Sequence, residues 1–260
     1  MAFALVTGGS KGIGKEIAQL LAGSKHDLLL VARNEAELKS TANQIVAKYG
    51  VNVHVLACDL SELGASKLVF DWVDSNHFPV EILINNAGYG LWGYFETLSL
   101  EAQQKMLSVN MNALVELCHL FLPILKKNTK SYILNVSSTA AYQAVATLSL
   151  YAASKSFVLV FSRGLRQEVK AEGVSVSCLS PGATSTNFTN RAGMNGSLAT
   201  FAEKMSMKSD TVAKIAVKGM LAGEAEIIAG FSNWISVKAI DFLPKFLIEK
   251  IASGIYTKHL

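Results

Sequence analysis

Short apolar runs alternate with longer amphipathic ones along almost the whole chain, and no feature limits its fold more. The runs at 3–7, 27–32, 51–57, 81–85, 131–137, 174–179 and 225–229 read as strands. Most are nearly continuous in Val, Ile, Leu and Ala, the pattern of parallel strands covered on both faces. Between them, helices are predicted near 12–23, 35–48, 61–75, 99–126, 150–172 and 209–222. Such alternation implies βαβ units, hence an α/β fold: a doubly wound parallel sheet of about seven strands with helices on both faces. Half the residues are hydrophobic and 17% are charged, which suits a sheet buried on both sides. With no Pro- or Ser-rich linker and no repeat, residues 1–260 are expected to form a single domain.

Local signals agree. Asn34 can cap the second helix, with Glu37 as its capping-box partner. Gly50 and Gly173 stand where helices should stop. Pro123 lies inside the segment 99–126, so a kink or break is expected there. The net charge of +4 is too weak and too dispersed to predict a nucleic-acid partner. Cys58, Cys118 and Cys178 lack Cys-x-x-Cys spacing and read as buried thiols. His26, His54, His77, His119 and His259 are isolated, so no metal site is expected. Phe3-Ala4-Leu5-Val6 already reads as a strand with no basic region ahead of it, so no signal peptide is expected. The longest apolar stretches fall short of the roughly 18 residues of a spanning helix. The expected location is therefore the cytoplasm.

The first strand runs into Thr7-Gly8-Gly9-Ser10-Lys11-Gly12-Ile13-Gly14. Glycines at a first strand-to-helix junction let the backbone turn tightly and approach a pyrophosphate. The helix N-terminus then offers free N–H groups to the phosphate charge, so Gly8, Ser10, Lys11, Gly12, Ile13 and Gly14 are candidate dinucleotide contacts in a Rossmann-like fold. An NAD site wants a carboxylate at the end of the second strand. Here Leu30-Val31-Ala32 is followed by Arg33, and Lys11 lies in the turn, which predicts a preference for NADP(H), with NAD(H) the alternative. Glu35 is the objection, although a carboxylate in a first helical turn has an ordinary dipole-stabilising role.

Tyr151 and Lys155 share one face of a predicted helix, about one turn apart. A free tyrosine titrates near pH ~10. An ammonium about 4 Å away is worth up to ~4 kcal/mol at an effective dielectric of ~20, enough to bring a phenol towards neutrality. Asn135-Val136-Ser137-Ser138 ends a predicted strand just before this helix. Ligands of open α/β sheets bind at the carboxyl ends of strands, so a hydroxyl of Ser137 or Ser138 can polarise a substrate carbonyl there. Asn85-Asn86-Ala87-Gly88 and Pro181-Gly182 end two further strands.

These motifs, in this order and near these spacings, resemble the short-chain dehydrogenase/reductase family from Phe3 to about Thr186. The resemblance implies a catalytic set of Asn110, Ser138, Tyr151 and Lys155. Tyr151 is then the general acid and base, Lys155 lowers its pKa and holds the nicotinamide ribose, and Ser138 orients the carbonyl. Asn110 would hold a water that relays protons through Lys155. The resemblance further implies cofactor contacts from Asp59 and Leu60 at the adenine, from Asn86, Ala87 and Gly88, and from Pro181, Gly182, Thr184 and Thr186 near the carboxamide.

Beyond Pro181-Gly182, Phe188, Met194, Phe201, Met205 and Met207 are interspersed with Gly193 and Gly196, so 183–208 is expected to be a lid over an apolar substrate. In the tail 231–260, Phe231, Trp234, Ile240, Leu243, Leu247 and Ile251 recur near helical spacing with Lys238, Lys245, Lys250 and Lys258 between them. This amphipathic extension could cap the pocket, form a subunit interface or rest on a membrane surface. Its apolar pattern loosely resembles hydroxysteroid and long-chain 3-oxoacyl reductases. The expected activity is NADPH-dependent hydride transfer to an apolar ketone or aldehyde, by a homodimer or homotetramer. The alternatives are a non-catalytic dinucleotide-sensing regulator and a membrane-peripheral lipid reductase.

Overall fold

The computed structural model describes residues 2–186, 188–194, 200, 203–240 and 243–257. Gly196, Phe201, Lys258 and His259 lie outside them. The seven apolar runs form β1 (Phe3–Thr7), β2 (Asp27–Ala32), β3 (Val53–Ala57), β4 (Val80–Asn85), β5 (Ser131–Val136), β6 (Val174–Pro181) and β7 (Glu226–Ala229). They pair in the order β3-β2-β1-β4-β5-β6-β7, and every pairing is parallel. The order reverses between β1 and β4, which opens a crevice at the carboxyl ends of these strands. β1 is buried at all five positions, so its continuous apolar run reflects cover from both faces.

The helices are α1 (Gly12–Gly23), α2 (Glu35–Tyr49), α3 (Ala65–Ser75), α4 (Leu100–Leu107), α5 (Ala113–Leu125), α6 (Ser149–Val169), α7 (Ser209–Ala222), α8 (Phe231–Ile240) and α9 (Lys245–Thr257). One core lies between the sheet and α3, α5 and α6, around Leu5, Val69, Leu83, Phe121, Ile133 and Val158. The other lies beneath α1, α2 and α7, around Val6, Ile17, Leu30, Ile84, Leu134 and Met220. Together they make a single-domain, Rossmann-like α/β fold.

Asn34 caps α2 by accepting from the Glu37 N–H at 3.0 Å. Gly50 and Gly173 end helical segments at φ +67° and +75°. The expected single helix over 99–126 is three pieces: α4, a π-helical turn over Ser108–Asn112, and α5. No break falls at Pro123, which α5 includes close to its C-terminal end. The interruption is instead the π-turn, and it carries Asn110. The whole stretch Leu100–Leu125 is long and apolar enough to cross a membrane by length and composition, contrary to the expectation from apolar runs. Its apolar residues include Leu117, Phe121 and Leu125, all buried against the sheet, so core packing accounts for the composition. Cys118 and Cys178 are buried, and burial pushes their thiols up to about 12, whereas Cys58 is only half-buried.

The region 183–208 is pinned at both ends. Thr184 and Ser185 pair with Met207 and Lys208 in a short parallel ribbon, and a helical turn over Phe188–Arg191 lies between.

Candidate active site

The crevice is a cavity of about 1190 Å3, above the usual range of small-molecule sites of roughly 300–1,000 Å3. Every sequence-predicted site residue lines it except Gly14 and Asn110, which lie directly behind its wall.

At one end is the glycine turn. Gly8 and Gly12 have φ of +65° and +54°, a region that disfavours side chains. α1 starts with no side-chain cap hydrogen bond from Lys11 and no acid in its first turn. An uncapped helix start beside Ser10, Lys11 and Ile13 fits a pyrophosphate. Gly14 has another reason to be glycine. A Cβ there would lie 2.4 Å from both the Gly8 carbonyl oxygen and Asn86 Nδ2. The Asn86 amide donates to the carbonyls of Thr7 at 3.0 Å and Gly8 at 3.2 Å. Asn86, expected as a cofactor contact, lines the cavity, and its side chain also clamps the end of β1. Thr7 completes the clamp, since its hydroxyl accepts from the N–H groups of Asn86 and Ala87 at 3.0 and 3.1 Å. Sequence reading missed Thr7, because no motif distinguishes it from a strand-end threonine.

Charge at the adenosine end differs from the expectation. Lys11 Nζ pairs with Glu37 Oε1 at 2.7 Å, and Arg33 pairs with Asp59 Oδ2 at 3.6 Å. Glu35, the anticipated objection, turns outward to Lys39 at 2.6 Å. The acid near Lys11 is Glu37, placed there because Asn34 starts the helix one turn earlier. Partial burial tends to raise the Asp59 carboxyl, but hydrogen bonds from Ser61 and the Arg33 charge hold it below its usual range. Both cations are about half exposed, and such ion pairs contribute only about 0–1 kcal/mol, so an incoming phosphate can draw either cation away.

At the other end α6 brings Tyr151 and Lys155 under the end of β5. They are 8% and 5% exposed. Lys155 Nζ donates to the Val136 carbonyl at 2.9 Å and stands 5.9 Å from the centre of the Tyr151 ring. The two serines differ in their hydrogen bonds. Ser137 donates its proton to the Lys155 carbonyl at 2.6 Å. Ser138 Oγ accepts from the Ala140 N–H at 3.1 Å, so its own proton stays available to a ligand. Asn110 is fully buried in the π-turn. Its Oδ1 accepts from the Tyr89 N–H at 3.0 Å. Its amide donates to the Tyr89 carbonyl at 3.0 Å and to Ser154 Oγ at 3.1 Å. The carboxamide therefore ties the loop after β4 to α6. Gly88 threads between, where a Cβ would meet Asn110 Oδ1 at 3.0 Å and Lys155 Nζ at 3.1 Å.

Phe188 from the pinned segment packs on Tyr151, with ring centroids 5.3 Å apart. Met194 and Met205 also line the cavity, whereas Met207 sits in the ribbon. Thr184 donates to the Gly182 carbonyl at 3.0 Å, and the Thr186 hydroxyl accepts from the Phe188 N–H at 3.2 Å. Two wall residues escaped sequence reading. Arg191 places its guanidinium 4.1 Å from the centre of the Tyr89 ring, a cation–π contact bridging the pinned segment to the loop after β4. Asn233 of α8 packs on Gly182, where a Cβ would meet its amide at 2.5 Å. Arg191 is the only charged residue from 182 to 202, which was the available signal; for Asn233 there was none.

Burial lowers the Lys155 ammonium to about 8. An unfolded lysine titrates near ~10.4. Between these values the unfolded chain binds more protons, so Lys155 makes stability rise with pH through this window; below about 8 the folded state bears the full desolvation cost. In cofactor-free protein, the Tm difference between wild type and Lys155→Met is expected to move in favour of wild type from pH ~7.5 to ~10. Thermal melts across that range check it, and a difference independent of pH would refute it.

Among the described residues, no three His, Cys, Asp or Glu side chains gather as a metal site. The family model described as short chain dehydrogenase matches residues 2–197. A probable oxidoreductase, EphD, of Mycobacterium tuberculosis is 34% identical over 191 residues, covering 73% of this chain and 32% of that protein. A very-long-chain 3-oxoacyl-CoA reductase of Anas platyrhynchos is 35% identical over 186 residues, covering 69% of this chain and 59% of that protein. The matched part thus spans about a third of the first relative and under two thirds of the second. A solved short-chain dehydrogenase from Sphingobium yanoikuyae, in complex with NADPH, superposes with a TM-score of 0.84 at 29% identity, covering 95% of each chain. On the extent of the family match, carried by a sheet and cavity of the same kind, the chain belongs to the short-chain dehydrogenase family.

Proposed function

We propose that the chain is an NADPH-dependent reductase of largely apolar ketones or aldehydes, working in reverse on the corresponding alcohols. One observation carries the reading: a buried tyrosine, a buried lysine and a serine with a free proton share a cavity with an uncapped helix start. A bound nicotinamide would supply or accept the hydride. The residues suited to hold that cofactor are the amides of Ser10 to Ile13 at the pyrophosphate, Asp59 and Leu60 at the adenine, Ala87 and Gly88 along the floor, and Pro181, Gly182, Thr184 and Thr186 at the nicotinamide end.

The chain's own residues then divide the work. Ser138 donates to the carbonyl oxygen and fixes it. Tyr151 gives its phenolic proton to that oxygen as it becomes an alcohol, and takes it back in the oxidative direction. The Lys155 ammonium favours the ionised phenol through its charge. Asn110 is a positioning residue, its carboxamide bonded to the Tyr89 backbone and to Ser154. Phe188 and Met194 exclude water from the reacting atoms, the role proposed for the segment 183–208 as a lid.

The substrate reading is supported by the apolar wall of Val145, Leu148, Phe188 and Met194. NADPH oxidation over a ketone panel tests it, with 3-oxoacyl thioesters and steroid ketones included because a relative is named for the former. Binding of NADPH without turnover of any ketone would overturn it in favour of a dinucleotide-sensing protein.

Cofactor preference is proposed for NADPH on the strength of Arg33 and Lys11, with NADH as the weaker alternative. Arg33→Asp is expected to lower kcat/KM for NADPH by roughly 10- to 100-fold, the worth of a charged hydrogen bond, with little loss for NADH. An unchanged ratio would refute the electrostatic argument.

A further inference from the structure

α8 has two faces with different surroundings. Asn233, Ser236, Val237 and Ile240 follow helical spacing and line the cavity. Phe231, Trp234, Ile235 and Lys238 follow the same spacing two residues earlier, which turns them about 200° away, onto the opposite side. There Phe231 is 76% exposed, and Trp234 and Ile235 are each 47% exposed. The Phe231 and Trp234 rings stack with centroids 6.2 Å apart. Leu243, Phe246, Leu247 and Lys250 repeat the intervals in sequence: Phe246, Leu247 and Lys250 lie on α9, and Leu243 stands just before it. Phe246 is 71% exposed, and Leu243 and Leu247 are also exposed. α9 is held from its other side, through buried Ile248 and Ala252.

We propose that the outer faces of α8 and α9 dock on an anionic lipid bilayer, so that apolar substrate enters the cavity along the inner face of α8. Two aromatic–aliphatic stripes that each end in a lysine suit an interface where rings sink below the headgroups and ammonium groups reach up to phosphates. Charge favours lipid over a second copy of the chain. From 231 to 260 the sequence has four lysines and two acids, so a two-fold contact would set like charges together, whereas anionic headgroups complement them. The docking itself does not depend on the proposed reaction; only substrate entry rests on that reading.

The test uses the full chain and phosphatidylcholine vesicles with and without phosphatidylserine. Wild type is expected to co-sediment with the anionic vesicles, more weakly with neutral ones, and less as salt is raised. Trp234→Ser with Phe246→Ser, and separately Lys238→Glu with Lys250→Glu, are each expected to weaken vesicle binding by roughly tenfold or more. None of these four residues lines the cavity, so turnover of a water-soluble ketone should not change. Turnover of a ketone dissolved in the vesicles should fall with binding. Absence of wild-type co-sedimentation overturns the proposal. So does a wild-type dimer in sedimentation velocity that these substitutions dissociate, since the stripes would then be a self-interface. Lack of turnover on every soluble ketone would count against the proposed reaction alone, because vesicle binding is still read.

Discussion

Tyr151→Phe is expected to lower kcat for ketone reduction by roughly 100- to 10,000-fold, the range set by loss of a positioned general acid. NADPH affinity, followed by fluorescence titration, should stay within about twofold. The substitution removes one oxygen and keeps the ring. That ring packs on Phe188 at 5.3 Å and lies beside Gly90, where a Cβ would approach it to 3.4 Å, and phenylalanine preserves both contacts. Ser138 and Lys155 are untouched, so polarisation of the carbonyl survives and the missing element is the proton. In free energy the loss corresponds to about 3–5.5 kcal/mol of transition-state stabilisation. Retained turnover would sink the assignment. Loss of NADPH binding together with turnover would mean that the substitution had damaged the crevice rather than the chemistry.

The layers of the fold were legible because most strands are covered on both faces, which leaves nearly continuous apolar runs; β3 is the exception, with His54 and Ala57 exposed. Where the reading erred, the cause was a contact between distant segments. The π-turn at Ser108–Asn112 changes no composition, so 99–126 reads as one helix, with Pro123 its only visible interruption. Glu37 was recognised as a capping partner from its spacing, but its carboxylate faces Lys11 because α2 packs beside the glycine turn. Position in the chain left Ser137 and Ser138 both open and only the resemblance named Ser138; the bond from Ser137 to the Lys155 carbonyl is a contact that no local pattern foretells. The stripes of the tail were visible as a period, yet nothing in that period told which face would line the cavity. Tyr151 and Lys155 were legible because a helical turn is a short-range fact. Asn233 and Arg191 meet their partners only through the closed fold.

Gly14→Ala is expected to lower stability by about 2–4 kcal/mol, and its sign is the informative part. Gly14 lies in the first turn of α1 without a positive φ, so alanine fits the local backbone. Helix propensity alone would favour alanine by roughly 0.5–1 kcal/mol. Opposing it, the new Cβ would lie 2.4 Å from the Gly8 carbonyl oxygen, a backbone atom in a tight turn, and 2.4 Å from Asn86 Nδ2. Relief requires moving α1 or displacing the Asn86 amide. Overpacking of this kind costs about 1–3 kcal/mol. Losing the two hydrogen bonds from Asn86 adds roughly 1 kcal/mol each. For a chain of this size the Tm should fall by roughly 5–15 °C, and dinucleotide affinity should fall with it because the turn that holds the uncapped amides is displaced. Gly164 supplies the control of opposite sign. It lies within α6, exposed, and a Cβ added there would meet nothing within 4 Å. There propensity acts unopposed, and Gly164→Ala should raise stability by about 0.5–1 kcal/mol. If both substitutions stabilise, the close approach of Asn86 to the glycine turn is not realised in solution, and the account of how β1 and β4 shape the phosphate end of the cavity fails.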